Sequence, residues 1–218
     1  MRPLSLGLEE ARELFLRQLA DFLDACQDLE DFELLEASRC RGWSRLEVIE
    51  HVRDGLAQMA AAAVAFTDAP PDHDAATYWS SHPDDRDENP IAHVMWLRRT
   101  ASAYGRPTAA LHRLREVAET LATVVSHVPN RVVLFQGKAM RTGDFIATWI
   151  AELAVHQLDL ATTADTPVGL PLAKRTIEAI ADADLPGELP LTDAVLTGLG
   201  RIPAPVGIKL PVAFPVAL

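Results

Sequence analysis

Two side chains capable of acid–base or metal chemistry lie close together late in the chain, at Glu152 and His156. Residues four apart lie on one face of an α-helix, one turn above the other, so this spacing would bring the carboxylate and the imidazole together. Both groups stand among large apolar side chains, where burial without partners is costly. A divalent metal ion would satisfy both groups. A salt bridge or hydrogen-bonded pair, which is common at this spacing, would do so equally, and the stretch alone leaves both interpretations open.

The segment around this pair, residues 142–160, is predicted to form an amphipathic helix. Its apolar residues recur at steps of three and four and predict a core-facing stripe, made of Ile146, Ile150, Leu153 and Ala154. We expect Thr142 to accept hydrogen bonds from the first free backbone N–H groups, and Asp144 to face the positive end of the helix. The helix is expected to end near residues 165–167.

A second imidazole belongs to another predicted helix. His51 lies near the apolar side of a segment that begins with a capping box, in which Ser44 and Glu47 satisfy each other's backbone donors. Gly55 follows one turn later, where it costs about 1 kcal/mol relative to Ala. The missing side chain would leave room beside His51. Taken alone, His51 fits either a core-edge histidine bonded to a carbonyl or carboxylate, or a metal ligand.

Four long segments have apolar residues at helical spacing and predict four helices. They cover about residues 6–29, 45–66 and 108–127, and the helix of Glu152 and His156. Together they predict an all-α four-helix bundle with one long crossover loop, the Pro- and Asp-rich residues 68–90. Shorter helices are expected at residues 91–104, 171–183 and 192–199, a β-like run at 132–135, and an extended tail at 203–218. We therefore predict a bundle over residues 1–168 and a short C-terminal appendage, residues 169–218, that is helical and extended and packs on it.

The composition predicts a reduced, cytoplasmic protein. The 218 residues are 49% hydrophobic, enough for a core, and their net charge of −11 argues against binding of nucleic acid or an anionic membrane. We find no apolar run of about 18 residues, so no membrane span is expected. We also expect no signal-peptide core. Cys26 and Cys40 form no metal or disulfide pattern. Cys26 is expected in the core, and Cys40, between Arg39 and Arg41, is either an inert loop cysteine or a slightly activated thiol.

His51, Glu152 and His156 come from two helices of one bundle, and bundles build their metal sites between facing helices. Two imidazoles and a carboxylate with an open fourth position are the ligand set of a catalytic zinc site. The segment Trp43-Ser-Arg-Leu-Glu-Val-Ile-Glu-His51 resembles the W-[ST]-x-x-[DE]-x-x-x-H pattern of DinB/YfiT-like metalloenzymes. Residues 151–161 resemble the E-x-x-x-H-x-x-D helix of their mycothiol-dependent maleylpyruvate isomerase branch. The resemblance covers roughly residues 5–165 and implies a DinB-like bundle.

The resemblance implies that His51, Glu152 and His156 bind one divalent metal ion, above all Zn²⁺, with water or a thiol as the fourth ligand. A metal-bound thiol is deprotonated at neutral pH and is then a nucleophile. In this branch the thiol is mycothiol. In an isomerase the thiol would add to a conjugated cis double bond and leave after rotation, whereas in an S-transferase it would stay on. Trp149 and Asp159 are expected beside the cofactor, and Asp159 would either orient a metal ligand or cap the helix end.

The chain departs from the family pattern where the substrate is expected to bind. Trp149 occupies the place of an arginine that the family often carries three residues before the ligand glutamate, which removes a partner for a substrate carboxylate. Arg201 and Arg141 are the candidate catalytic arginines, and a small electrophile less charged than maleylpyruvate is expected, turned over by a monomer or homodimer. Two other hypotheses stay open: a small-molecule binding or resistance protein with a vestigial metal site, and a structural bundle that works by dimerising.

Overall fold

The computed structural model describes residues 1–81, 90–162 and 166–218. Residues 82–89, within the predicted long loop, and residues 163–165, near the predicted end of the Glu152 helix, lie outside the described residues. The α-helices of the described chain are α1 (Leu8–Cys26), α2 (Asp31–Leu35), α3 (Arg45–Ala62), α4 (Pro90–Ser102), α5 (Thr108–His127), α6 (Thr142–Asp159), α7 (Leu170–Ala181) and α8 (Leu191–Gly198). A 3₁₀ helix covers Thr77–Ser81, and the strands are β1 (Phe66–Thr67), β2 (Val132–Phe135) and β3 (Lys138–Arg141).

The four long helices α1, α3, α5 and α6 form the predicted bundle, which is confirmed. Helix α1 packs against α5 and α6, and α3 packs against the same two helices, so the four enclose one apolar core. Aromatic and aliphatic side chains from all four helices meet there with almost no solvent exposure, among them Phe15, Phe22, Ile49, Leu114 and Phe145. This burial follows from the three- and four-residue spacing of apolar residues along each helix.

Helix α3 begins where the capping box predicts and ends earlier than predicted. The Ser44 hydroxyl accepts from the Glu47 backbone N–H at 3.2 Å, and the Glu47 carboxylate accepts from the Ser44 backbone N–H at 2.6 Å. The predicted end at about residue 66 is wrong, because α3 ends at Ala62 and Phe66 begins β1. Strand β1 pairs antiparallel with β2, and β2 with β3, so the β-like run at 132–135 is the middle strand of a three-stranded sheet.

The start of α6 is held in place by contacts that differ from the predicted cap. The Thr142 side chain makes no capping hydrogen bond within its own helix, so that prediction is wrong. Its hydroxyl instead donates to the Arg131 carbonyl at 2.8 Å and accepts from the Arg131 N–H at 3.1 Å. Asp144 accepts from the Leu6 N–H at 2.9 Å, although burial raises the pKa of its carboxyl. The helix ends at Asp159, earlier than the predicted 165–167.

The C-terminal segment covers the face of α6 that points away from the bundle. A second apolar cluster joins that face of α6 to α7, α8 and the tail, and contains Ala151, Ala154, Val155, Leu170, Ala173, Ile177, Val195 and Phe214. The tail after residue 203 has no helix or strand, as its prolines predict. Helix α6 therefore lies between two apolar clusters, while the predicted domain boundary at residue 168 stays a prediction. Among the described residues, none of the helices has the length and apolar character needed to span a membrane.

Candidate metal centre

The three side chains that the sequence singles out as ligands meet at one point between α3 and α6. His51 Nε2 lies 3.0 Å from Glu152 Oε1, and His156 Nε2 lies 3.2 Å from the same oxygen. The two imidazole rings are 4.8 Å apart, centroid to centroid, with planes inclined by 72°. His156 is buried, whereas the side chains of His51 and Glu152 keep 27% and 15% of their surface exposed. A bound molecule can therefore approach the cluster on the side of His51 and Glu152.

The close approach of α3 to α6 depends on a missing side chain. A Cβ atom at Gly55 would lie 2.7 and 2.8 Å from two atoms of the Trp149 ring, distances that side chains do not adopt. The space that the sequence analysis assigned to the surroundings of His51 is therefore filled by the indole of Trp149. On its other side His51 packs edge to face against Trp43, the residue that precedes the capping box, with ring centroids 5.2 Å apart. The indole of Trp43 thus covers one side of His51, while the indole of Trp149 lies against Gly55 between α3 and α6.

Burial and pairing have opposite effects on the ionisation of this cluster. Burial by itself raises the pKa of the Glu152 carboxyl, but the adjacent imidazoles of His156 and His51 outweigh it, and the pKa lies well below the ordinary 4.5. Burial by itself lowers the pKa of His156, but Glu152 and Asp159 outweigh it, and the pKa lies well above the ordinary 6.5. The metal-free cluster therefore holds an ionised carboxylate against an imidazolium.

The far side of the His156 ring contacts Asp159, which is fully buried. Nδ1 of His156 lies 3.1 Å from Asp159 Oδ2. Burial raises the pKa of the Asp159 carboxyl, but His156 and Arg201 lower it by more, so the pKa lies below its ordinary value. The ionised carboxylate can only accept hydrogen bonds. Nδ1 must then carry a proton and donate it, which leaves Nε2 to face Glu152. This geometry favours the interpretation that Asp159 orients a ligand over the one that it caps the helix end.

Two further side chains reach Asp159 from distant parts of the sequence. Arg201 donates from Nε to Oδ1 at 3.1 Å and from Nη2 to Oδ2 at 3.3 Å. Cys40 is buried and donates from Sγ to Oδ2 at 3.0 Å, and its sulfur lies 4.0 Å from Nδ1 of His156. Sequence reasoning missed this role of Cys40. The sequence carries no signal for it, because the loop is held to the end of α6 by a backbone contact, from the Arg39 N–H to the Asp159 carbonyl at 2.8 Å.

The structure does not bring every predicted site residue to the cluster. Arg141 lies just before α6 and is exposed. Eleven residues separate it from Glu152, about 16 Å along a helix that rises about 1.5 Å per residue. Trp149 lies one turn before Glu152, and its buried indole N–H has no hydrogen-bond partner among the described residues. Buried N–H groups are nearly always paired, so this one is a free donor inside the fold.

The donor atoms fit a divalent metal ion. Nitrogen atoms of His51 and His156 and an oxygen of Glu152 all lie within 4.8 Å of one another. Tetrahedral zinc with ligand distances of about 2.0–2.2 Å needs donor atoms about 3.3–3.5 Å apart. Small side-chain rotations would therefore bring these three atoms into a zinc coordination sphere and leave the fourth position toward the exposed side. The second group of possible ligands, Cys40 with His156 and Asp159, is less suitable because the guanidinium of Arg201 already binds its carboxylate.

Comparison with known proteins gives a family and a fold. The family model described as mycothiol maleylpyruvate isomerase N-terminal domain matches residues 15–161. Two crystal structures, of mycothiol-dependent maleylpyruvate isomerase and of a histidine-to-alanine mutant of it, have TM-scores of 0.63 and 0.62 to this chain. Their sequence identities are 19% and 18%, and each comparison covers 90% of both chains, so the likeness shows the fold. No curated protein matches the sequence.

Proposed function

The chain belongs to the family of the mycothiol maleylpyruvate isomerase N-terminal domain, and we propose that it is a zinc- and thiol-dependent isomerase or S-transferase acting on a small electrophile. The observation that carries the proposal is the convergence of His51, Glu152 and His156, from two helices, on a single point. Family membership supports a thiol of the mycothiol type as the second reactant. The zinc ion and the substrate class are the parts that the proposal adds.

In this proposal the three side chains hold the metal ion and leave one position for a thiol. His51 and His156 would bind through Nε2, and Glu152 through the oxygen that both imidazoles now contact. A bound zinc ion supplies one property, which is to keep a coordinated thiol deprotonated at neutral pH. Trp43 covers one side of His51 with apolar surface. The indole N–H of Trp149 is available to donate to an oxygen of the bound substrate or thiol.

The proposed chemistry begins when the thiolate forms a carbon–sulfur bond to one carbon of a double bond conjugated with a carbonyl. The π electrons move toward the carbonyl oxygen, and the former double bond becomes single. In an isomerase that bond rotates, the electrons return, and the thiolate is expelled with the trans alkene formed. In an S-transferase the carbon next to the carbonyl takes a proton instead and the sulfur remains attached. The side chains at the cluster do not distinguish these two outcomes, so both belong to the proposal.

The charges around the cluster favour an electrophile with fewer carboxylates than maleylpyruvate. Trp149 places an indole where the family often has an arginine. The positive charge of Arg201 is paired with the buried carboxylate of Asp159. Arg141 lies too far along α6 to contact a molecule bound at Glu152. None of these three residues would therefore give a dianionic substrate the bidentate contact that binds carboxylates tightly.

Metal analysis of the purified protein is the first test. We expect about one equivalent of zinc per chain, and we expect His156→Ala to lose it, because removal of one of three protein ligands leaves an incomplete set. His127→Ala is the matched control: this histidine lies at the exposed end of α5 and contacts only the Thr123 carbonyl of its own helix in the described hydrogen bonds. Zinc-free wild type whose stability does not change on adding zinc would contradict the proposal.

Turnover is tested with the zinc-loaded protein, mycothiol and an uncharged cis-configured unsaturated ketone. We expect formation of the trans isomer or of the thioether only when both zinc and thiol are present, and we expect none with the His156→Ala variant. Mass spectrometry separates the two products, since only the thioether gains the mass of the thiol. Ligand binding without turnover, indifferent to thiol, would instead favour the small-molecule binding protein with a vestigial metal site.

A further inference from the structure

We propose that Arg201 is a positioning residue that acts through Asp159 on His156, and thereby makes the metal centre dependent on the C-terminal segment. The inference rests on the proposed function, because it concerns how one metal ligand is held. It assigns Arg201 a role different from the contact with substrate that the sequence resemblance implies.

The contact between Arg201 and Asp159 is bidentate, and the backbone at Arg201 is itself held by a hydrogen bond. Nε and Nη2 of Arg201 reach the two different oxygens of Asp159, at 3.1 and 3.3 Å. The backbone before Arg201 turns at Gly200, whose φ of +68° is one that glycine adopts without strain. The Arg201 backbone N–H then donates to the Leu196 carbonyl of α8 at 2.8 Å. The guanidinium is thus presented to Asp159 by the end of α8.

Asp159 needs a cation at this position for a physical reason. It is the last residue of α6, and the C-terminal end of a helix carries partial negative charge that disfavours a carboxylate. Its side chain has no solvent exposure, so water does not compensate that charge. Arg201, with 27% of its side chain exposed, supplies the compensating charge and fixes the carboxylate plane through two bonds. Cys40 adds a third, weaker donor to Oδ2.

The fixed carboxylate in turn fixes the orientation of the His156 ring. A neutral imidazole can present either nitrogen to a metal, and a hydrogen bond at one nitrogen decides that the other one binds. Because Nδ1 donates to Asp159, Nε2 points toward Glu152 and the proposed metal position. Without Arg201 the carboxylate would keep the contacts of Cys40 and His156 at Oδ2 but lose the Arg201 bond at Oδ1, and the restraint on the His156 ring would weaken.

The test is a titration of the metal-free full-length chain with Co²⁺, which gives both an affinity and a visible spectrum of the ligand geometry. We expect Arg201→Met to weaken Co²⁺ binding by about tenfold, the lower end of the range for groups that orient a metal ligand. The absorption bands of the bound Co²⁺ should also change in position and intensity. Arg201→Lys keeps the positive charge but not the bidentate contact, so it should recover part of the affinity for Co²⁺.

Arg45→Met is the matched control, because Arg45 also binds the end of α6. Its Nε donates to the Leu160 carbonyl at 2.7 Å, and it pairs with Glu36 at 3.0 Å, without any contact to Asp159. We expect this variant to bind Co²⁺ as the wild type does and with the same spectrum.

Three results would overturn the inference. Equal affinity and equal spectra for Arg201→Met and Arg45→Met would refute it and leave the proposed function standing. Wild type that binds no Co²⁺ would refute the metal centre itself, so the two failures are distinguishable.

Circular dichroism of the metal-free variants checks folding. If Arg201→Met does not fold, Arg201→Lys decides the question. Unchanged Co²⁺ binding and an unchanged spectrum in that variant would show that the bidentate contact is not needed for metal binding.

Discussion

Glu152 and His156 show how two ionisable groups that lie largely out of water stabilise each other's charged forms. Burial opposes the charge of both, and pairing reverses the effect of burial on both pKa values. From their spacing alone, a metal ion and an ion pair are alternatives for these two residues. In the structure the same atoms fit both, because the metal-free cluster is an ion pair whose geometry is close to that of a ligand set. Under the proposed function, the ion pair and the metal site would be two states of the same side chains.

The metal-free protein should be most stabilised by this pair at mildly acidic pH. The folded-state pKa of His156 lies well above 6.5, so its contribution to the free energy of unfolding is complete below pH 6.5 and is lost as the pH rises through the folded-state value. The folded-state pKa of Glu152 lies well below 4.5, so its contribution is complete above pH 4.5 and is lost as the pH falls through that value. Both contributions are complete together between pH 4.5 and pH 6.5.

Urea unfolding in the presence of a chelator, repeated across the pH range, measures this contribution. Glu152→Gln should flatten the fall in the free energy of unfolding on the alkaline side, because the largest contribution that raises the His156 pKa is gone and only the smaller ones, among them Asp159, remain. Glu116→Gln is the control, since Glu116 lies on the exposed face of α5, with its Arg113 contact also exposed, and should leave the profile parallel to that of wild type. Identical profiles for wild type and Glu152→Gln would contradict the assigned ionisation.

Cys40 illustrates which part of the site the sequence could not show. Glu152 and His156 are adjacent on one helix turn, so their contact follows from spacing alone. Cys40 and Asp159 are 119 residues apart, and their 3.0 Å contact depends on where the loop before α3 is packed. The same holds for Arg201 and Asp159, 42 residues apart. Local chemistry, including Asp159 beside His156, could be predicted from residue types and spacing, whereas the contacts of Cys40 and Arg201 with Asp159 could be found only in the folded chain.

At the scale of the secondary-structure elements, predictions succeeded where the signal is local. The bounds of α5 agree with the apolar spacing of residues 108–127, and the start of α3 agrees with its capping box. The small sheet was foreseen only at residues 132–135, because β1 is two residues long and its pairing partner lies more than sixty residues away in sequence. The early end of α3 is a consequence of that pairing, which competes with helix for the same backbone groups.

The contact between α3 and α6 gives a test of how tightly the site is built. Gly55→Ala should destabilise the protein by about 1 kcal/mol, since overpacking costs about 1–3 kcal/mol and the higher helix propensity of Ala returns about 1 kcal/mol. The overpacking arises because the new Cβ would lie 2.7 Å from the Trp149 ring. In a Trp149→Ala background the clash disappears, and the same substitution should become stabilising by about 1 kcal/mol.

Urea denaturation of the four proteins in this double-mutant cycle measures the change of sign. The cycle separates the clash from any loss caused by Trp149→Ala itself, because that loss is common to both members of the second pair. If Gly55→Ala had the same effect in both backgrounds, the glycine would not be required by the indole, and the close approach of the two helices would need another explanation.

At the scale of the whole molecule, α6 connects the bundle to the C-terminal segment. One face of this helix belongs to the bundle core and the other belongs to the cluster with α7 and α8. The cluster of His51, Glu152 and His156 lies on the side toward α3, and its restraint by Arg201 comes from the end of α8. If Arg201 acts as proposed, the site depends on both parts of the chain, although all three proposed metal ligands lie within residues 1–168.

Shortening the chain after residue 168 should therefore weaken both the fold and the site. Ala151, Ala154 and Val155 of α6 would become exposed in the shortened chain. The contribution that the full chain gains from burying the apolar side chains of α7 would also be absent. Burial of a single Val, Leu or Ile side chain contributes about 1.5–3 kcal/mol, so the loss in the free energy of unfolding should be at least about 3 kcal/mol. Zinc binding should weaken as well, since Arg201 is gone and Asp159 is left uncompensated.

A chain that ends at residue 202 is the matched comparison, because it keeps α7, α8 and Arg201 and lacks only the tail. The tail contributes one buried aromatic ring, Phe214, and a backbone bond from Val216 to the Gly198 carbonyl at 2.9 Å. We expect its free energy of unfolding to lie between those of the full chain and the 1–168 chain, and its zinc affinity to stay near that of the full chain. Equal stability and equal zinc affinity of the 1–168 and full-length chains would show that the bundle holds its metal ligands without help from the segment packed on α6.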